Sequence, residues 1–199
     1  MQLKFTYYKP EIAIPIIGFL WTASSWCLAK IWGYGFLQGI GPTTIVMLFL
    51  VLYDMWLWKL PVLNWMIKVP NLNGDYEGKI SYFWDGQAGE KLCALVIKQS
   101  CSNIKVRCVF NKDGENETIS FSTEAFIKTD EAGDQHLFIY YQNRGSCKNG
   151  DTLGQHDGMN VFEILREKKN IKLKGYYFTN RNPQTKGCIE VTKLIKGDK

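Results

Sequence analysis

The residues of this 199-residue chain best suited to chemistry are aromatic and basic, interleaved in its last two-thirds. Tyr76, Tyr82, Trp84, Phe138, Tyr140, Tyr141, Tyr176, Tyr177 and Phe178 are the aromatic ones. Arg144, Lys148, Arg181 and Lys186 are the basic ones, near the ends of strand-like runs. Aromatic faces stack on bases, and arginine pairs bidentately with phosphate. The set suits a small nucleotide in a barrel mouth. Composition alone favours the plainer reading, a barrel core with a solvated rim.

Signs of bond-breaking chemistry are scarce. There are two histidines, His136 and His156, and no G-x-S-x-G, phosphate-binding loop or H-E-x-x-H pattern. Asp151 and Asp157 belong to a glycine-rich stretch where acids are usually solvated. No metal-spaced cluster is visible, so the chain reads as a non-enzyme with no metal and no cofactor.

The elements that must hold these residues change character near residue 70. Residues 1–70 contain six of the seven Trp but only seven charges, Lys4, Lys9, Glu11, Lys30, Asp54, Lys59 and Lys68, a net of +3. Residues 71–199 carry 19 basic and 17 acidic side chains, a net of +2. That is no nucleic-acid footprint, so neither DNA nor RNA is expected as a direct partner. Ile12 to Ala29 is an uncharged run of 18 residues, and Ile31 to Tyr53 one of 23. A spanning helix needs about 20 apolar residues. The first third of the second run is glycine-rich and reads as a tight turn. The pattern predicts two transmembrane helices, at about 11–30 and 43–60, within a hairpin and linker covering 1–70. Lys4 and Lys9 flank the first helix, and Lys59 and Lys68 follow the second. Positive-inside then puts both ends in the cytosol and the turn outside. Five cysteines beyond residue 71, an odd number without C-x-x-C, suit reduced thiols there. Asp54 is expected at the interface or between helices.

From Asn71 the period becomes two. Eight strand-like segments follow: Asp75–Trp84, Lys91–Lys98, Ile104–Asn111, Glu117–Lys128, Gln135–Asn143, Met159–Arg166, Ile171–Phe178 and Gly187–Ile195. Turn signals separate most of them. Residues 71–199 are therefore expected to form an all-β antiparallel eight-stranded barrel, with a two-sheet sandwich as the other solution. Gly78 and Gly175 fit bends of a closing sheet. The connection Asn143–Gly158 is too long for a hairpin.

Two membrane helices followed by a small β-rich domain resemble the two-helix, β-barrel effectors of bacterial cyclic-oligonucleotide antiphage systems (CBASS). Local runs are similar too: Leu72-Asn-Gly74-Asp-Tyr76-Glu-Gly78, Tyr140-Tyr-Gln-Asn143, His156-Asp-Gly158, Leu173-Lys-Gly175-Tyr-Tyr-Phe-Thr179-Asn-Arg181 and Thr185-Lys-Gly187. The family pattern often has Pro soon after the Asn of the second run; here Arg144-Gly145 follows. The resemblance implies a cyclic dinucleotide ligand bound by the barrel, ligand-induced homo-oligomerisation, and disruption of the bacterial inner membrane that kills the infected cell. It makes the bilayer and a second copy of the chain partners. Arg181 then becomes the phosphate partner, and Trp84, Tyr140 and Tyr177 the stacking residues. Thr179, Asn180 and Asn143 are expected to read base edges or ribose, and His156 to shape the long loop or touch the ligand. The other classes compatible with the sequence are a tethered lipocalin-like barrel for a lipid and an anchored protein adaptor.

Overall fold

A computed structural model describes residues 5–32, 37–84, 86–111, 117–145, 154–167 and 170–195, with the backbone alone at 32, 37–40 and 84. The chain divides into two compact units: Met1–Asn71 with Ser100–Asn103, and Leu72–Gln99 with Ile104–Lys199.

The first unit holds two helices, α1 (Pro10–Trp32) and α2 (Leu37–Met55). Among the described residues one helix, Pro10–Ile31, is long and apolar enough to cross a bilayer; the apolar part of α2, Gly41–Met55, is shorter. This corrects the expectation of two clear spans. The boundaries of α2 differ from 43–60 at both ends. It starts earlier, taking in Gly39, Gly41 and Pro42. Helices in apolar surroundings tolerate Gly and Pro because no water competes for the backbone. It ends at Met55, since Trp56 leaves helical geometry at φ −136° and ψ −46°; Pro61 then disfavours helix at Leu60, which is extended at φ −74° and ψ 132°. Gly33–Phe36 of the expected turn lie outside the described residues.

Asp54 is fully buried. Its Oδ1 accepts from the Ser102 backbone N–H at 2.7 Å, and its carbonyl from that of Cys101 at 2.9 Å. Burial pushes the Cys101 thiol up to about 12, so it stays protonated. The segments flanking the helices pair with each other. Lys9 donates to the Met66 carbonyl and Lys68 to the Tyr7 carbonyl, each at 2.9 Å.

The second unit is a closed barrel of eight antiparallel strands in sequence order. They are β1 (Gly74–Trp84), β2 (Gln87–Gln99), β3 (Ile104–Phe110), β4 (Thr118–Thr129), β5 (Gln135–Asn143), β6 (His156–Glu167), β7 (Asn170–Thr179) and β8 (Lys186–Lys193). The barrel closes where β1 pairs with β8. Alternation sends Tyr76, Leu95, Ile97, Val106, Leu137, Ile139, Phe162, Leu173, Ile189 and Val191 inside, each nearly or fully buried. Burial of such a side chain stabilises by about 1.5–3 kcal/mol. Gly78 and Gly175 stand where a Cβ would collide with the backbone of the next strand, at Glu190 and Val161. Larger residues there would force the strands apart.

β4 carries one extra residue, the register shifting between Ser122 and Glu124. The bulge reverses parity. Ser120 points inward before it, and Ala125 and Ile127 point inward after it. The chain enters the barrel at Gly74 and leaves it at Lys193, on the same end, since Tyr76 pairs with Lys193.

Candidate functional site

The opposite end of the barrel gathers most of the residues singled out in the sequence. Strand register sets them in rows. In one row the partners run Ile139, Asn160, Tyr177, Gly187, Tyr82 and Gly89. The next row toward the rim runs Tyr141, Gly158 and Thr179. Above it stand Cys108, Ser120, Asn143 and His156. Tyrosine alternates with glycine because the rings need the space. A Cβ on Gly158 would strike the Tyr141 phenol, and one on Gly89 the Tyr82 ring.

The inner wall at this end is polar and includes a cation: Lys91 has the inward parity of Cys93 and Leu95, and its Nζ lies 5.3 Å from the Tyr82 ring centroid. Ser120, Asn143, Asn160 and Thr179 are buried there, as are Tyr141 and Tyr177. Burial raises both phenols above their ordinary range, so each remains a neutral donor. The Cys93 and Cys108 sulfurs lie 3.3 Å apart inside the wall. Burial and the neighbouring thiol push Cys108 well up, leaving it unreactive.

Two arginines and the imidazole belong to the rim. Arg144 stacks its guanidinium on Phe121, 4.7 Å from the ring centroid, on the outer side of the rim, since Phe121 has the opposite parity to inward Ser120. Arg181 is half-buried just past β7. His156 opens β6, and its Nδ1 lies 3.0 Å from the Gly154 carbonyl oxygen. Its pKa is lowered, first by desolvation and then by the Arg181 charge, against the Gly154 bond and Asp157. The ring is therefore neutral at neutral pH.

The sequence-derived candidates separate by what their polar groups do. Asn143 donates from Nδ2 to Ser120 Oγ at 2.8 Å, and its Oδ1 accepts from the Gly145 N–H at 2.7 Å. Thr179 Oγ1 accepts from the Thr185 N–H at 3.2 Å, closing the turn toward β8. Asn180 Oδ1 accepts from the Asp157 N–H at 3.0 Å, and the Asn180 N–H donates to the Asp157 carbonyl at the same distance. These three side chains hold the rim and the turn that carries Arg181. Tyr177 lies inside with Asn143 and Thr179, whereas Asn180 is exposed. Tyr140 does not lie inside: it is 53% exposed on the outer wall. Trp84 ends β1, and its side chain lies outside the described residues, as do Asp151, Lys148 and Cys147.

Three inward residues escaped the sequence reading of the site. Tyr141 has the parity of Leu137 and Ile139, so alternation already pointed it inward while turning Tyr140 out. Tyr82 shares the parity of Ile80 and Tyr76. Asn160 carried no signal beyond its place in a strand.

Among the described residues no group of three or more side chains is placed to hold a metal ion. Neutral donors and acceptors, with Lys91 over Tyr82 and Arg181 at the rim, are equipment for binding a planar, anionic molecule.

Comparison with known families gives one match. A family model described as Cap15, cyclic dinucleotide receptor domain, covers residues 67–193, from ahead of β1 to the last residue of β8. No curated protein matches the chain.

Proposed function

The chain belongs to the Cap15 cyclic dinucleotide receptor domain family, and on that premise we propose how this chain takes its ligand and acts on it. The family makes a cyclic dinucleotide the ligand, the role one of binding rather than catalysis, and the chain an effector of CBASS defence.

The observation that carries the reading is the placement of aromatic rings and cations at the barrel mouth. Buried polar side chains on the inner wall are amides, hydroxyls and phenols, Lys91 lies over the Tyr82 ring, and Arg181 stands at the rim. Moving a phosphodiester past these cations into the interior would be costly. The ligand therefore enters bases first. Its bases lie against Tyr82, Tyr141 and Tyr177, and its phosphates stay at the rim with Arg181 and the His156 ring. Asn143, Thr179 and Asn180 position that rim, and Asn160 reads a base edge.

The same proposal covers the membrane. α1 spans the bacterial inner membrane, and α2, about 28 Å long at 1.5 Å per residue, follows it as a second span. The lysine distribution keeps both termini and the barrel in the cytoplasm. A ligand drives assembly only if it binds the assembled state more tightly. Two helices enclose no pore, so membrane disruption requires many copies to oligomerise on ligand binding.

The test is calorimetry of the full chain in detergent against a panel of cyclic dinucleotides, with mass followed by light scattering. Micromolar or tighter binding to one member, with a mass increase, supports the proposal. Binding without a mass increase removes the oligomerisation step. Silence across the panel from a folded chain overturns the ligand reading and favours an apolar ligand.

A further inference from the structure

Between α2 and the barrel the chain forms a compact segment of its own. Two 3-10 turns, Leu57–Lys59 and Asn64–Met66, fold over buried Trp58, Met66 and Ile67. The bonds from Lys9 to Met66 and from Lys68 to Tyr7, with a bridge between Tyr8 and Ile67, tie the segment to the residues ahead of α1. The Tyr53 hydroxyl donates to the Leu63 carbonyl at 2.7 Å and ties it to α2 as well.

The outside of this folded segment is as apolar as its inside. Val62 is 79% exposed, Trp56 57%, Phe5 52%, Leu60 49% and Trp65 47%. Its charges are Lys59 and Lys68, both exposed, and residues 56–69 contain no acid. Indoles, aliphatic side chains and lysines without acids are the composition favoured in the headgroup layer of a bilayer. A soluble surface would interleave both signs of charge. The segment also begins where the apolar run Gly41–Met55 stops.

We propose that residues 56–68, with Phe5, form an interfacial foot that docks in the headgroup layer of an anionic bilayer. Trp56, Val62 and Trp65 insert, and Lys59 and Lys68 meet lipid phosphates. The proposal rests on the reading of α1 as a span, since that places the foot at the membrane. It adds a lipid-binding surface that is neither helix nor barrel.

A benzophenone amino acid replacing Val62 in the full chain tests it, in nanodiscs of phosphatidylcholine with phosphatidylglycerol. The same probe at Phe19, exposed on α1, reports the span, and at Leu92, exposed on the barrel wall, gives a baseline. The expected result is lipid adducts at 19 and 62, several-fold above the yield at 92. Phosphatidylglycerol adducts at 62 then fall several-fold in a Lys59→Gln/Lys68→Gln variant. Lipid labelling at 19 without labelling at 62, or a crosslink from 62 to a second copy of the chain, overturns the foot and leaves the span standing. No lipid at either position overturns both. Equal phosphatidylglycerol labelling in the lysine variant overturns the headgroup assignment.

Discussion

The Asn143 side chain joins two buried partners: its amide nitrogen donates to the Ser120 hydroxyl at 2.8 Å, and its oxygen accepts from the Gly145 N–H at 2.7 Å. It thereby ties β4 to the first residues of the long loop. Asn143→Ala leaves both groups without that partner, at about 1–3 kcal/mol for each one left buried and unsatisfied. Denaturant unfolding reads this as a lower midpoint. Asn143→Asp keeps the acceptor for the Gly145 N–H and exchanges the donor to Ser120 for an oxygen to which the Ser120 hydroxyl can donate, but adds a negative charge at the mouth. Its unfolding midpoint should stay nearer the parent while affinity for the cyclic dinucleotide falls. Undiminished affinity would mean that the phosphates do not come near this part of the rim.

Neighbouring tyrosines on β5 give a sharper test of where the bases lie. Tyr140→Ala, on the outer wall, should leave affinity unchanged. Tyr141→Leu keeps an apolar side chain over Gly158 but removes the stacking face. Base stacking on an aromatic is worth about 1–3 kcal/mol, so roughly tenfold or more in affinity should disappear. The reverse order of effects, read by calorimetry, would put the ligand outside the barrel.

Arg181 and His156 report on the phosphates together. A charge-assisted bond is worth about 1.5–3 kcal/mol, so Arg181→Ala should weaken binding by at least about tenfold with folding intact. Normal binding by that variant would remove Arg181 from the site. The His156 pKa sits below its usual value, with Arg181 among the causes. A phosphodiester beside Arg181 offsets that charge and raises the pKa, so binding should take up protons as pH falls toward the range where His156 titrates. Calorimetry in two buffers of different ionisation enthalpy measures the uptake. No uptake would place the phosphates away from this pair.

The turn between β4 and β5 carries a pH-dependent contact remote from the mouth. Asp130 Oδ2 lies 2.9 Å from His136 Nε2, and Asp130 Oδ1 accepts from the Ala132 and Asp134 N–H groups at 2.9 Å. His136 first, and then the Asp134 N–H, hold the Asp130 carboxyl below its usual range. A carboxyl depressed in the folded state adds stability that is fully present above its unfolded pKa of about 3.9. That stability is lost as pH falls through the folded value. Thermal melting should show Asp130→Asn less stable than the parent at pH 7, with the gap shrinking below about pH 4. A gap that persists at the lowest pH would assign the effect to the turn backbone instead.

The barrel was legible because a strand buried on one face must repeat every two residues. Ile104, Val106 and Cys108 show it plainly, and turn residues separate most strands. The family was legible in the order of elements and in short runs such as Leu173 to Arg181. Less could be read where two influences overlap. The β4 bulge breaks the alternation between Ser120 and Ala125, and no residue in Ser122-Thr-Glu124 announces it. The start of α2 was hidden because Gly39, Gly41 and Pro42 signal a turn in water but not in an apolar setting. The partners of Asp54 could not be read because the Cys101 and Ser102 backbone lies almost fifty residues away. Tyr140 was preferred to Tyr141 by residue type, although parity favoured the latter.

The barrel has an even number of strands joined one after the next. Evenness alone makes the chain come back to the rim from which it set out, so Gly74 and Lys193 share one end. The other rim, where the candidate site lies, then contains no chain end. It is built from four connections, 85–86, 111–117, 144–155 and 180–185. Connections tolerate insertion and change better than strands do. Each can be lengthened or rewritten while the strands keep their partners. Such a molecule separates the part that must stay constant to fold from the part free to vary, and its choice among related nucleotides can drift without a new barrel.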